Sequence, residues 1–455
     1  MNPSNKKIPF RANANRALHD SSLRATMRNI TETFTKKREE AISSLPFEEW
    51  RDLASALRLQ VLDNLPDTIS RFTANATRTG ATIHNAKDAR ETREIVASIL
   101  RDRGAKKVVK SKSMVSEEIH LNDYLESEGL EVVETDLGEY INQIAGEGPS
   151  HIIVPAIHKN RRQIGELFAE KLGSKYTDDP TELTKIARKI LRERFLSAQA
   201  GITGANFAAA DSGSIVLFTN EGNGRMVTTL PPLHIAVISI DKVIPSLKDL
   251  PLFIRLLPRS ATGQMLTSYL SVITGTRKAG ESTGAQELHI VLVDNGRSRI
   301  LAGEYREMLK CIRCGACLNT CPIYRMVGGH SYGATYPGPM GIVFTTLLNG
   351  MENAHPLLDA TTLCGACAEV CPVKVPLPQL LRRLREERVE RRMTPLIEQA
   401  GMAGFALVTE SPILFHLGQT AGRIFWPIAK KVGGKNVVGR MPDFAPRTFR
   451  QRRIL

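Results

Sequence analysis

The spacing of apolar residues changes several times along the chain. Up to about residue 64, leucines such as Leu53 and Leu57 recur among charged residues at helical spacing, and strand-forming residues are few. Residues 86–100 also have one apolar face, and the short strand-like segment 107–110 follows them. These patterns predict an N-terminal helical region over residues 1–64, followed by helices that alternate with strands.

The alternation continues to about residue 293. Strand-like runs occupy residues 107–110, 131–135, 151–155, 234–240 and 288–293, and helix-like segments include 115–125 and 161–172. Strands that alternate with helices of this length are typical of an α/β domain with a mostly parallel sheet. Two further strand-like runs, 214–219 and 225–229, flank an Asn-Gly pair, which predicts a β-hairpin. We therefore predict an α/β domain over residues 65–300.

All seven cysteines lie beyond this domain, in two runs, each of which ends in Cys-Pro. The runs contain Cys311, Cys314, Cys317 and Cys321, and then Cys364, Cys367 and Cys371. The first run has the spacing of [4Fe–4S] ligands in bacterial ferredoxins, in which the last cysteine ligates the other cluster. An odd count without a secretory signal disfavours disulfides, and structural zinc leaves the extra cysteine and proline unexplained. The runs predict a small helical ferredoxin-type dicluster domain over residues 301–392.

The crossover rule assigns each cysteine to one of two [4Fe–4S] clusters. Cluster one would be held by Cys311, Cys314, Cys317 and Cys371, and cluster two by Cys321, Cys364 and Cys367. The missing first position of the second run is Thr361. A non-cysteine fourth ligand, a solvent-accessible iron and a three-iron cluster all remain open. His330, in the Gly/Pro/aromatic linker, is a candidate ligand, although a packing role is favoured.

Other candidate sites in the α/β domain are less specific. Lys110 and Lys112 follow a strand and precede a helix, where an anion such as a carboxylate would be well placed. A serine N-cap with surface lysines is the favoured explanation of this stretch. The glycine-rich residues 210–214 and 220–225 match no phosphate-binding or dinucleotide fingerprint. No flavin, nicotinamide or haem motif is evident, and we predict no catalytic residue.

The net charge of +14 is concentrated near the C-terminus. After Cys371 there are 16 Lys and Arg against six Asp and Glu. No nucleic-acid recognition motif accompanies the basic C-terminal region, residues 393–455, so nucleic acid is not an expected partner. A solvated helix explains residues 380–392, whereas contact with an acidic subunit or an anionic membrane is compatible with the rest. The lack of an apolar run of eighteen residues argues against a membrane span, and cysteines confined to the two runs fit a reducing cytoplasm. We therefore expect a cytoplasmic protein, with peripheral contact at the inner membrane face as a further expectation.

Three parts of the chain together resemble the lactate utilization protein B family. They are residues 75–85, residues 201–214 with 219–225, and the two cysteine runs. That family consists of iron–sulfur proteins of bacterial L-lactate oxidation, and its seven-cysteine pattern is the one found here. The resemblance implies an α/β domain similar in fold to sugar-phosphate isomerases and formyltetrahydrofolate cyclo-ligases. It also implies an electron-carrying role beside two companion subunits.

We therefore expect an electron-transfer protein that passes electrons from L-lactate oxidation to pyruvate through two [4Fe–4S] clusters. The expected partners are companion subunits of a lactate oxidation complex and an electron donor or acceptor, either a protein or the quinone pool. Two alternatives remain open. The α/β domain itself would bind and oxidise a hydroxy acid, with Lys110 or Arg225 holding its carboxylate. Otherwise the chain would be the iron–sulfur subunit of another oxidoreductase, such as a glycolate oxidase or a heterodisulfide-reductase-like complex.

Overall fold

The computed structural model describes residues 7–432, and residues 427–432 by their backbone alone. Four helices precede the first strand: α1 (Phe10–His19), α2 (Ser21–Ile42), α3 (Phe47–Asp63) and α4 (Leu65–Arg78). The side chain of Asp20 accepts a hydrogen bond from the Leu23 amide at 2.9 Å and so caps the start of α2. In the described part of the predicted N-terminal region the chain is helical from Phe10 to Asp63 apart from short connections, and α4 follows before the first strand.

Ten strands and nine helices make up the next part of the described chain. The strands are β1 (Ala81–Ala86), β2 (Lys107–Lys110), β3 (Glu131–Glu134), β4 (Ala200–Thr203), β5 (Phe207–Ala209), β6 (Ser214–Thr219), β7 (Leu233–Ser239), β8 (Val243–Ile244), β9 (Tyr269–Ile273) and β10 (Glu287–Val293). The helices are α5 (Ala89–Asp102), α6 (Met114–Glu118), α7 (Leu121–Ser127), α8 (Leu137–Ala145), α9 (Arg161–Leu172), α10 (Pro180–Ser197), α11 (Asn223–Thr229), α12 (Leu250–Thr262) and α13 (Arg297–Ala302).

Six of these strands form a wholly parallel sheet with the order β1-β10-β7-β4-β2-β3. Strand β7 is buried along its whole length and β10 along nearly all of it, as expected where helices cover both faces of a parallel sheet. A second sheet has the order β8-β5-β6-β9 and is mixed, because β5 pairs with β8 in parallel and with β6 antiparallel. The predicted α/β class is confirmed.

Apolar residues pack on both faces of the parallel sheet. On one face, Val96 and Leu100 of α5 and Leu121 of α7 are buried against the sheet. On the other face, Phe72 of α4 packs with residues of β7, β10 and the second sheet. Burying each such side chain stabilises the fold by about 1.5–3 kcal/mol. Because both faces are covered, only the sheet edges and the ends of the strands are available to form a site.

Two predicted strands are wrong. Residues 151–155 form turns, because the buried ring of His151 accepts hydrogen bonds at Nδ1 from the amides of Ile153 and Val154, at 3.0 and 3.1 Å. Those amides are therefore not available to a neighbouring strand. The predicted hairpin over residues 214–229 is also absent, since Asn223 and Gly224 begin helix α11 and β6 pairs with β5 and β9. Tertiary contacts override the β-propensity of both segments.

The rest of the described chain is helical. It contains α14 (Ala316–Thr320), α15 (Pro322–Val327), α16 (Gly338–Asn349), α17 (Met351–Ala354), α18 (Ala366–Glu369), α19 (Leu377–Glu390), α20 (Leu396–Glu410) and α21 (Pro412–Val432). The chain divides into two compact units, one up to Glu386 and one from Glu387. Across the described residues, no single helix is long and apolar enough to cross a membrane. Helix α20 and residues 412–426 of α21 meet that test only as a pair, which is bent by 118°.

Candidate iron–sulfur centre

The two cysteine runs have the same backbone turn. Arg313 and Leu363, each just before a cysteine, have φ angles of 60° and 56°, and Gly315 and Gly365, each just after it, have φ angles of 78° and 89°. The short helices α14 and α18 begin immediately after these glycines. A side-chain-bearing residue in the left-handed region costs energy and persists only where the surrounding structure requires it. The same local backbone conformation therefore positions the cysteines in both runs.

Four cysteines line one small cavity and form what we call the inner cysteine group: Cys311, Cys314, Cys317 and Cys371. Cys314 and Cys371 are buried, and the other two are partly buried. The amide of Arg313 lies 3.4 Å from the sulfur of Cys311, and the amide of Val375 lies 3.3 Å from that of Cys371. The structure thus brings together the four cysteines that the sequence assigns to cluster one.

The other three cysteines line a second cavity together with Thr361, and we call them the outer cysteine group: Cys321, Cys364 and Cys367. Cys364 is exposed. The amide of Leu363 donates to the Thr361 hydroxyl at 3.1 Å, the same relation that the Arg313 amide has to the Cys311 sulfur. Thr361 therefore occupies the position in the second run that Cys311 occupies in the first.

His330 lies outside this second cavity. Its Nε2 is 2.8 Å from the carbonyl oxygen of Gly148, and its ring meets that of His158 edge-on with centroids 4.4 Å apart. Neither Gly148 nor His158 belongs to the second cavity. The residues that line that cavity are at positions 321–322, 339, 361–367, 378 and 381. The packing role that the sequence favours for His330 fits these contacts better than the role of a ligand.

Burial and crowding raise the pKa of the thiols. Burial raises the pKa of Cys314, and the neighbouring Cys371 raises it further. Burial likewise raises the pKa of Cys367 to about 12, with Cys321 as the next cause. Thiols held in this way lose their protons when a cation binds them, because the thiolate is the ligand form. Two groups of converging thiols are the donor set that iron–sulfur clusters require.

A buried charge network lies beside the inner cysteine group. Asp241 follows β7, and its carboxylate accepts a hydrogen bond from Nε of Arg297 at 2.9 Å and lies 3.5 Å from Arg313. The backbone carbonyl oxygen of Asp241 accepts a hydrogen bond from Arg58. Arg297 also pairs with Glu118 at 2.7 Å. Burial acts to raise the pKa of Asp241, but Arg313 and Arg297 lower it well below its usual value. The network ties the end of a central strand to the first cysteine run.

A larger cavity of about 500 Å³ lies beyond the carboxyl ends of the strands of the parallel sheet. Residues 111–113 after β2, 204–206 after β4, and Lys242 after β7 line it. Open α/β sheets bind ligands beyond the carboxyl ends of their strands. Ile312 and Arg313 line both this cavity and that of the inner cysteine group. The sequence interpretation missed Lys242 and Asp241, although their position just after a buried parallel strand was a usable signal.

The three basic residues proposed for a carboxylate have different surroundings. Lys110 is fully buried and paired with Glu134 and, at 3.1 Å, with Glu117. Burial acts to lower the pKa of Lys110, but Glu134 and Glu117 raise it above its usual value. Lys112 lines the large cavity, whereas Arg225 is outside it and lies 5.6 Å from the centroid of the Tyr269 ring. Of the three, Lys112 alone is placed to meet a ligand in that cavity.

Comparison with known proteins agrees with this arrangement. Two family models match the chain: a LUD domain over residues 69–293 and a 4Fe-4S dicluster domain over residues 307–375. Lactate utilization protein B of Bacillus licheniformis is 46% identical over 412 residues, covering 90% of this chain and 86% of that protein. Lactate utilization protein B of Bacillus subtilis is 45% identical over 412 residues, with the same shares covered.

One solved structure also aligns with the chain. It is a DUF162 family protein from Deinococcus radiodurans, 14% identical, covering 52% of this chain and 98% of that one, and its TM-score of 0.27 is too low to compare the folds. The assignment rests instead on the relatives, which match across 90% of this chain, and on the two matching domains in their predicted order. The chain belongs to the lactate utilization protein B family.

Proposed function

We propose that this chain carries electrons from the oxidation of L-lactate to pyruvate, through two [4Fe–4S] clusters held by its seven cysteines. The observation that carries the proposal is the separation of the cysteines into two cavities. Each cavity is lined by cysteines from both runs. When bound, such clusters supply one-electron transfer. The inner cysteine group would hold the first, and the outer cysteine group, with Thr361 at the fourth position, would hold the second.

The residues around the inner cysteine group exclude water and donate hydrogen bonds to sulfur. Met308, Met340 and Leu377 line its cavity and are buried. The amides of Arg313 and Val375 point to the sulfurs of Cys311 and Cys371. Amide hydrogen bonds and exclusion of solvent are the means by which a protein sets the potential of a cluster. This supports an inner site that receives electrons from within the protein.

The outer cysteine group is better placed for exchange with a partner. Cys364 is exposed, and so is the adjoining Thr362. Arg385 donates to the carbonyl oxygens of Leu358 and Thr361 at 2.8 Å, so the exposed segment is still held to α19. An electron-carrying partner, such as a companion subunit of a lactate oxidation complex or a carrier to the quinone pool, would dock over this surface.

A contact with the membrane surface is part of the proposal and concerns the second compact unit alone. In α20 and α21, Ile397 and Ile413 are 85% and 73% exposed, and Phe405 is 63% exposed. The sequence beyond residue 432, which lies outside the described residues, is basic. Exposed apolar helices followed by positive charge favour peripheral association with anionic lipid. Sedimentation with anionic vesicles, weakened by high salt, is the expected result.

Anaerobic purification followed by iron and sulfide analysis tests the main proposal. We expect about eight irons per chain, the content of two four-iron clusters. Electron paramagnetic resonance spectra should show both clusters reduced after L-lactate is added together with the companion subunits. Fewer than about four irons, or no reduction by lactate in the assembled complex, would contradict the proposal.

The same spectra separate the two alternatives. Reduction by L-lactate with this chain alone would mean that its α/β domain oxidises the acid directly. Reduction by glycolate and not by lactate, with the same companions present, would mean that the chain serves another oxidoreductase. A variant with Cys311, Cys314 and Cys317 all changed to alanine is the matched control, because it keeps the α/β domain and removes three of the four inner cysteines.

A further inference from the structure

The large cavity at the strand ends is lined by two lysines, Lys112 and Lys242, that form no direct ion pair with the described residues. The Lys112 nitrogen is buried from solvent and makes no hydrogen bond with the described residues. Lys242 is 8% exposed and lines the same cavity, and of the described residues Asp241 and Cys311 are the opposite charges that act on it, without a direct hydrogen bond. An unpaired buried ammonium is costly, and an anion in the cavity would offset that cost. Lys110, by contrast, already has two carboxylate partners.

The cavity also offers hydrogen-bond acceptors and an apolar wall. Its charged lining residues are Lys37, Lys112, Lys242, Arg313, Asp136 and Glu221, so positive charges exceed negative ones. Burial and, after it, the neighbouring Asp136 raise the pKa of Glu221 to about 7. Leu217, Phe218 and Ile312 form part of the wall. An anion that also carries a hydroxyl group and a short carbon chain matches this combination of groups.

The position of the cavity connects it to the inner cysteine group. Ile312 and Arg313 form a wall common to both cavities, so a ligand in one lies a single side-chain layer from the other. Arg313 is held in place by stacking on Phe344, 4.2 Å from the ring centroid, and by Asp241 at 3.5 Å. A rigid shared wall allows a bound ligand to alter the surroundings of the inner group.

We propose that this cavity is a binding site for a short 2-hydroxy acid or the corresponding 2-oxo acid, with Lys112 and Lys242 as the residues that bind its carboxylate. The choice of acid rests on the proposed function, whereas the presence of an anion site rests on the two lysines without a direct ion pair. At about 500 Å³ the cavity lies in the range usual for ligand sites and leaves room for water beside a three-carbon acid.

Titration calorimetry of the anaerobically purified, cluster-loaded protein tests the site. L-Lactate and pyruvate should bind saturably and compete with each other. Lactamide, which has the hydroxyl group without the charge, should bind at least tenfold more weakly, and propionate, which lacks the hydroxyl group, should also bind more weakly than lactate. Equal affinity for lactate and lactamide would overturn the assignment of the lysines as carboxylate ligands.

Three variants locate the site. Lys112→Met and Lys242→Met should each weaken lactate binding at least tenfold while the iron content stays that of the parent protein. Lys248→Met is the matched control, because Lys248 is exposed, lies outside the cavity and should leave binding unchanged. Lactate affinity that survives both cavity substitutions in folded, iron-loaded protein would overturn the proposal.

A spectroscopic measurement tests the shared wall. Lactate added to dithionite-reduced protein should shift the resonance of the inner cluster and leave that of the outer cluster unchanged, and Lys242→Met should abolish the shift. Failure of this inference would appear as absence of carboxylate binding to protein with its full iron content. Failure of the proposed function would appear differently, as a deficit of iron or as clusters that lactate and the companions together cannot reduce.

Discussion

The inner and outer cysteine groups share one backbone turn but have different surroundings. Around the inner group, no cysteine is fully exposed. Arg58 donates to the carbonyl oxygens of Leu309 and Lys310 at 2.9 and 3.3 Å, and also to that of Asp241. The outer group includes the exposed Cys364 and has Thr361 where the inner group has Cys311. A repeated motif can thus form one shielded and one accessible site, according to what packs against it.

Removing one cysteine from each group should produce the largest effects and separate the groups. Cys371→Ala should remove the inner cluster and about four irons per chain, with a large loss of stability because metal binding contributes to folding. Cys364→Ala should remove only the outer cluster, with a smaller fall in melting temperature because its surroundings are exposed. Iron analysis and anaerobic thermal unfolding measure both effects. Loss of the inner cluster in Cys364→Ala would break the distinction.

Neutralising Asp241 should have the next largest effect, which is a loss of stability. Asp241→Asn leaves the buried Arg297 and Arg313 without their shared carboxylate, so we expect a loss of about 3–5 kcal/mol in unfolding free energy. Because those arginines lower the folded pKa of Asp241, its stabilisation is present above about pH 4 and is lost as the pH falls. Anaerobic urea unfolding between pH 7 and pH 3 should therefore show a weaker acid dependence in the variant. An unchanged acid dependence would contradict the role given to the network.

Supplying the missing cysteine should make the two groups more alike. Thr361→Cys places a thiol at the position that matches Cys311, so we expect the outer cluster to retain about one more iron per chain after brief exposure to air. Thr361→Val is the matched control, since it keeps the shape of threonine and removes its hydroxyl group. Iron analysis before and after exposure measures the difference. Equal iron loss in both variants would show that position 361 does not face the cluster.

Changing the linker histidine should have the smallest effect. His330→Ala should leave the iron content and both cluster spectra unchanged, because His330 lies outside the outer cavity. The loss of its contact with the Gly148 carbonyl oxygen should cost about 0.5–1.5 kcal/mol. Loss of a single iron would instead identify His330 as the fourth ligand and revise the role given to Thr361.

Much of the α/β domain was predictable because short runs rich in valine, isoleucine and leucine alternate with segments of helical periodicity. Strands β2, β3, β7 and β10 lie within a residue of their predicted positions. Residues 151–155 have a similarly apolar sequence, yet the side chain of His151 takes up the amides that a strand would need. Residues 225–229 likewise fold as part of helix α11. Local propensity is weak in such short segments, and contacts from distant parts of the chain decide their conformation.

The sequence by itself determined the family, the order of the domains and the division of seven cysteines into four and three, because cysteine spacing reflects the short reach of a local turn. The tertiary structure alone decided that Cys364 is exposed, that Lys110 is paired with carboxylates while the buried nitrogen of Lys112 makes no hydrogen bond with the described residues, and that one cavity adjoins the inner cysteine group. Burial and pairing depend on side chains that meet from distant positions, as Asp241 meets Arg58 and Arg297. Contacts between residues that are distant in the sequence produce no periodic pattern in a single sequence.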